Sequence, residues 1–219
     1  MSKTKEYLKL VEKRKKYNFG EGLRNPSESI FDTNEIEPWA NWHNDLNAEI
    51  MVIGQEFSDY ATFEKTEGEV ERFENTYEYP SNKNLAELLK LIGRDPGHPK
   101  SPNLEHKLFF TNCVMALKDG SMSSNFRDKW MKPSREEFLA PLIDIVKPKI
   151  IVCVGLKSLE SVSKIFKFKT GSLKSTITRN PIEVDNTKIF AMYHTGGLGI
   201  RNRKYELQKN DWKKIKDWL

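Results

Sequence analysis

Only two cysteines occur in the 219-residue chain, Cys113 and Cys153, and each lies inside an apolar run. That excludes a disulfide framework or a four-cysteine metal cluster within the chain and reads as two reduced core residues. Histidine is also scarce, and His43, His98 and His106 show no ligand spacing, so they read as surface or structural residues and no metal is expected. Long apolar runs are missing: none approaches the length of a membrane-spanning helix, and charges fill the N-terminal stretch where a secretory signal would be apolar. The expectation is a cytoplasmic protein with no membrane partner. Gly196-Gly197-Leu198-Gly199 has no complete Rossmann or P-loop pattern around it, which argues against a nucleotide cofactor.

What is present is a basic chain, with a net charge of +5 and a pI near 9.0, a balance that favours a polyanionic partner. Hydrophobic residues at 37% are too many for a disordered chain, and the length suits one buried core and a monomer. Residues 1–47 read as a helical and irregular N-terminal extension, and residues 48–219 as one α/β domain. A basic amphipathic helix is expected over residues 1–18, with Tyr7, Leu8 and Val11 on one side. Trp39 and Trp42 follow as packing anchors.

Four apolar runs then alternate with helical patterns. Ala48–Ile53 reads as a strand ending at Gly54, Leu108–Phe110 as a second ending near Thr111-Asn112, Ile150–Val154 as a third and Lys188–Tyr193 as a fourth. Ile182-Glu183-Val184 is a candidate short addition, turned by Asp185-Asn186. Helical spacing links Leu85, Leu88, Leu89 and Ile92 before Gly93; Ser134-Arg135-Glu136-Glu137 reads as a capping box before Pro141 and Pro148; Leu156–Phe166 and residues 203–218 complete the set, the last with Trp212, Ile215 and Trp218 inward. The pattern predicts a three-layer α/β/α fold on a central, mostly parallel four-stranded sheet.

In such folds the site lies beyond the C-terminal ends of the strands. Those ends carry Gly54-Gln55-Glu56-Phe57, Asn112, Gly155 and His194-Thr195-Gly196-Gly197-Leu198. An Asn amide offers a donor and an acceptor side by side, which matches the N3–H and O4 edge of a pyrimidine. A histidine can stabilise charge developing on a leaving base. A carboxylate can orient water and stabilise a positive sugar in glycosidic cleavage. Arg201, Arg203 and Lys204 are candidates for holding phosphates.

In its order of Gly54-Gln55-Glu56, then Thr111-Asn112, then His194 with Leu198 four residues on, the chain resembles the uracil-DNA glycosylase superfamily over residues 48–219. The resemblance implies a hydrolase without metal or cofactor that binds DNA, flips out a uracil or other deaminated base and leaves an abasic site, as in base-excision repair. It implies that Gln55 shapes the base pocket, Glu56 stands where the family's water-activating Asp does, Asn112 reads the base and His194 bonds the pyrimidine O2. Leu198 sits at the place of the apolar wedge. Phe57, Phe73, Tyr77 and Tyr79 are candidates for the aromatic that stacks on the base, with Tyr77 and Tyr79 placed just before the Leu85 helix. Where the family motif continues Asp-Pro-Tyr-His, this chain has Glu56-Phe57-Ser58-Asp59-Tyr60, so Asp59 competes with Glu56 as catalytic carboxylate and the thymine-excluding tyrosine is not in its usual place. Missing cysteines exclude the iron–sulfur branch. Two other readings stay open: a catalytically inactive DNA-binding module of the same fold, and an enzyme acting on a different base or a free nucleoside.

Overall fold

Apolar runs without polar alternation become adjacent strands in the computed structural model, which describes residues 2–28, 34–60, 76–120 and 127–219. The central sheet contains β1 (Ile50–Glu56), β2 (Leu108–Val114), β3 (Ile150–Val154), β4 (Ile182–Val184) and β5 (Thr187–Met192). Their order is β2-β1-β3-β5-β4. The first four in that order run parallel, and β4 returns antiparallel on β5. Among the described residues the sheet thus has the four expected strands, with the candidate Ile182–Val184 addition joining them as a fifth, antiparallel edge strand.

Successive residues of each strand face opposite layers. Met51, Phe109, Ile151 and Ile189 enter one buried cluster. Ile50, Phe110, Ile150 and Phe190 enter the other. The first layer is covered by α1 (Lys3–Lys15), α4 (Ala140–Val146) and α5 (Leu156–Phe166), through Tyr7, Leu142 and Leu159 among others. The second is covered by α2 (Pro80–Leu91) and α8 (Tyr205–Lys213), through Leu85, Leu88 and Trp212. Trp39 and Trp42 are packing anchors there, each with its ring centroid 5.2 Å from that of Phe110. Tyr7, Leu10, Val11 and Phe19 share the first cluster with Phe109 and Phe138, so the N-terminal residues are part of the main core.

Several local expectations are corrected. Helix α1 buries Tyr7, Leu10, Val11 and Arg14, whereas Leu8 is exposed. One residue is a 100° step around a helix, and it takes Leu8 off the face that Tyr7 defines. Ser134 does not open a helix. It closes α3 (Met131–Ser134), is fully buried, and its Oγ accepts from the Met115 N–H at 2.9 Å. A π-helical turn over Arg135–Leu139 then leads into α4. Pro141 has no N–H for the carbonyl four residues back and its ring crowds that carbonyl, a conflict that a widened turn relieves. After α8 the chain tightens into a 3₁₀ turn, and Trp218 is 41% exposed rather than inward, with Lys188 Nζ over its ring. Strands β1 and β2 also run further than their apolar cores, to Glu56 and Val114. Polar Thr111 and Asn112 look like a strand end in the sequence but are paired residues of β2. Among the described residues no helix is long and apolar enough to cross a membrane. Among the described residues, two further short α-helices are α6 (Leu173–Ile177) and α7 (Gly197–Asn202).

Candidate active site at the strand ends

The parallel strands deliver their C-terminal residues to one rim in the order Asn112, Glu56, Gly155, His194. Asn112 pairs across the sheet with Gly54, and Val114 with Glu56. Strands β2 and β5 are three inter-strand steps apart, about 14 Å along the sheet, which sets the backbone spacing between the Asn112 and His194 ends of the rim.

Asn112 is buried, and its Nδ2 donates to Glu37 Oε2 at 3.2 Å. A Cβ at position 54 would stand 2.3 Å from Asn112 Oδ1, which is why β1 carries glycine beside this amide. Glu37 caps the 3₁₀ turn Pro38–Asn41, where the same Oε2 accepts from the Trp39 N–H at 3.0 Å. Its Oε1 is buried without a hydrogen-bond partner. Burial consequently pushes the Glu37 carboxyl up to about 7, against the pull of the Trp39 N–H, the Asn112 amide and the Arg14 charge.

Glu56 ends β1 and is half-buried. Its Oε1 lies 3.5 Å from Nζ of Lys118, a lysine whose side chain is almost wholly buried. Lys118 belongs to the short strand Leu117–Lys118, which pairs with Leu23–Arg24 and also bridges to Asp59. Burial raises the Glu56 carboxyl above its ordinary value; a hydrogen bond from the Gln55 side chain and the Lys118 charge oppose that rise. Glu56 Oε2 has no protein partner. Asp59 is fully buried, and Glu56, its side chain 15% exposed, is the less buried of the two residues.

His194 follows β5 and remains exposed, but the protein packed around its ring still favours the neutral form. The Gly196 N–H donates to its Nδ1 at 2.9 Å. That bond requires Nδ1 to be an acceptor, so the ring proton sits on Nε2 and is available to a ligand. The glycines are demanded by this loop: a Cβ on Gly196 would lie 2.9 Å from the ring, and one on Gly199 only 1.8 Å from the His194 carbonyl oxygen. The loop is clamped to the start of α2, where Thr195 Oγ1 donates to the Ser81 carbonyl and Asn84 Nδ2 to the Thr195 carbonyl, each at 2.8 Å.

Beyond the loop, Leu198 on α7 is 66% exposed, so it is not packed beneath the last helix. Arg201 and Lys204 are exposed beside it. Arg203 differs. Its Nε and Nη2 hold Asp211 at 2.5 and 2.8 Å, which commits the guanidinium to fixing α8. Of the aromatic candidates, Phe57 adjoins Glu56 and is half-buried, Tyr77 packs edge-on against Trp42 and lies over His98, and Tyr79 is exposed at the start of α2. Phe73 lies outside the described residues. Glu37 and Lys118 were not singled out in the sequence. The Glu37-Pro38 pair signals a capped turn, but nothing local to it points to Asn112, 75 residues away.

The covered parallel sheet thus carries an amide, a carboxylate and a neutral imidazole along one rim. Residues 41–219 match the family model of the Uracil DNA glycosylase superfamily, and the chain belongs to that superfamily, a group of DNA glycosylases. No curated protein matches the chain.

Proposed function

We propose that the protein is a monofunctional DNA glycosylase that draws a uracil or another deaminated base out of DNA and hydrolyses its N-glycosidic bond, working as a cytoplasmic monomer. The observation that supports this most is the pairing of a buried amide at one end of the rim with a neutral Nε2–H imidazole at the other. Asn112 would read the N3–H and O4 edge and His194 would donate to O2, where negative charge grows as the base departs. Glu56, between them, would hold the attacking water and face the positive sugar, and Gln55 and its backbone would close the pocket. Phe57 would stack on the base. Leu198 would fill the gap left in the duplex, with Arg201 and Lys204 on flanking phosphates.

The test is incubation with oligonucleotides carrying uracil, hypoxanthine, xanthine or a mismatched thymine, followed by hot alkali and gel separation. Strand scission at uracil is the expected result. Scission at another base alone would move the specificity. DNA binding with no scission at any of them would leave an inactive DNA-binding module.

A further inference from the structure

Glu37 lies outside the residues matched to the superfamily, and its side chain meets the sheet at Asn112. Its segment is held by α1. The Tyr7 hydroxyl donates to Glu35 Oε2 at 2.6 Å and accepts from the Ile36 N–H at 3.0 Å, and Arg14 Nη2 donates to the Glu35 carbonyl at 2.8 Å. The N-terminal helix thus seats a carboxylate against the amide expected to read the base.

An Asn amide has two faces of nearly equal shape and opposite hydrogen-bonding sense, and the pocket must choose one. A carboxylate accepts and cannot donate, so it admits only the orientation in which Nδ2 points towards it. We propose that Glu37 is a positioning residue for base recognition, fixing which way round the Asn112 amide faces and so which base edge the site accepts. This rests on Asn112 being the base-reading group. With Nδ2 turned to Glu37, one N–H and Oδ1 remain for O4 and N3–H of a keto pyrimidine; the reversed amide would match cytosine, whose N3 accepts and whose N4 donates.

The elevated Glu37 carboxyl bears on this choice. Below about 7 the group gains a proton and can donate to Oδ1, stabilising the reversed amide. The charged and titratable groups around it are Arg14 and Tyr7 on α1 and Glu35 beside it in sequence. Because the folded value lies above the ordinary 4.5, stability falls as pH rises from that value through 7. Glu37→Gln removes this slope, and its melting temperature at pH 8 is expected to equal or exceed that of the unaltered protein.

Glu37→Gln keeps an oxygen for the Trp39 N–H and the Asn112 amide and removes only the titration, whereas Glu37→Met removes the acceptor and should release the amide. Two readouts are taken. The Asn112 side-chain amide pair, assigned by triple-resonance NMR, is expected to titrate near neutral pH in the unaltered protein and to shift and stop titrating in Glu37→Gln. In Glu37→Met, single-turnover preference for uracil over cytosine in oligonucleotides is expected to fall about tenfold or more, the scale of one hydrogen bond to a charged group, with DNA affinity unchanged. An Asn112 amide pair that ignores both pH and Glu37→Gln overturns the proposal, as does a base preference unchanged by Glu37→Met in a protein that excises uracil. If no base is excised while the amide pair follows Glu37, the glycosylase reading fails and the orienting role stands.

Discussion

The two ends of the rim are built on opposite terms. At the β1–β2 end, Asn112, Glu37 and Gly54 are buried, the Asn112 amide lying 3.2 Å from the Glu37 carboxyl and against the bare Cα of Gly54. At the β5 end, Leu198 and Arg201 stand in solvent on the short helix α7, held through its glycine loop, and Lys204 is exposed just beyond it. The difference is one of dielectric. A hydrogen bond or charge in the buried wall acts at nearly full strength, whereas the exposed cations are screened within about 8–10 Å at ordinary salt. On the proposed reading, Asn112 at the first end chooses the base, and Leu198, Arg201 and Lys204 at the second grip DNA.

The largest effect should come from breaking the buried end. Asn112→Asp removes the donor to Glu37 and places a second carboxylate against it, so the two must share a proton or repel. Uracil excision in single-turnover assays is expected to fall at least about a thousandfold, with a melting temperature that drops as pH rises above 7. Glu56→Gln and His194→Ala come next, each at roughly a hundred- to thousandfold in rate with DNA affinity kept, because both act on charge that appears only in the transition state. Were Asp59→Asn to slow the reaction and Glu56→Gln not, the carboxylate role would pass to Asp59.

At the exposed end the effects should be smaller and should depend on substrate. Leu198→Ala is expected to slow excision from duplex by about tenfold and to spare single-stranded DNA, which has no stack to hold open. Equal loss on both would remove the wedge assignment. Smallest is Arg201→Ala, expected to weaken DNA binding a few-fold and to lower the slope of log affinity against log salt by about one. Arg203→Ala should instead lower the melting temperature and leave that slope alone, since its partner is Asp211.

Much of this rim was legible in the sequence for a physical reason. Buried parallel strands must be apolar throughout, so Gln55, Glu56, Asn112 and His194 stand out where such runs give way to polar residues. Lengths were less legible, because Thr111 and Asn112 look like an ending although β2 continues through them to Val114. Features created by distant contacts were not legible at all. Buried Lys118 reads as one more surface lysine until its strand meets Leu23–Arg24, and Arg203 reads as a phosphate ligand until Asp211 claims it. Glu37 is the sharpest case, since a turn cap carries no sign of the amide it will meet.

The central claim is that the rim expels a base from DNA through groups aimed at the departing charge. The most direct measurement is mass-spectrometric detection of free uracil released from a uracil-bearing single strand by the unaltered protein, Glu56→Gln and His194→Ala, each at excess over DNA. The account predicts stoichiometric release by the first and release at least about a hundredfold slower by both variants. Equal release by all three, or no uracil from the unaltered protein on a strand that it binds, would contradict it.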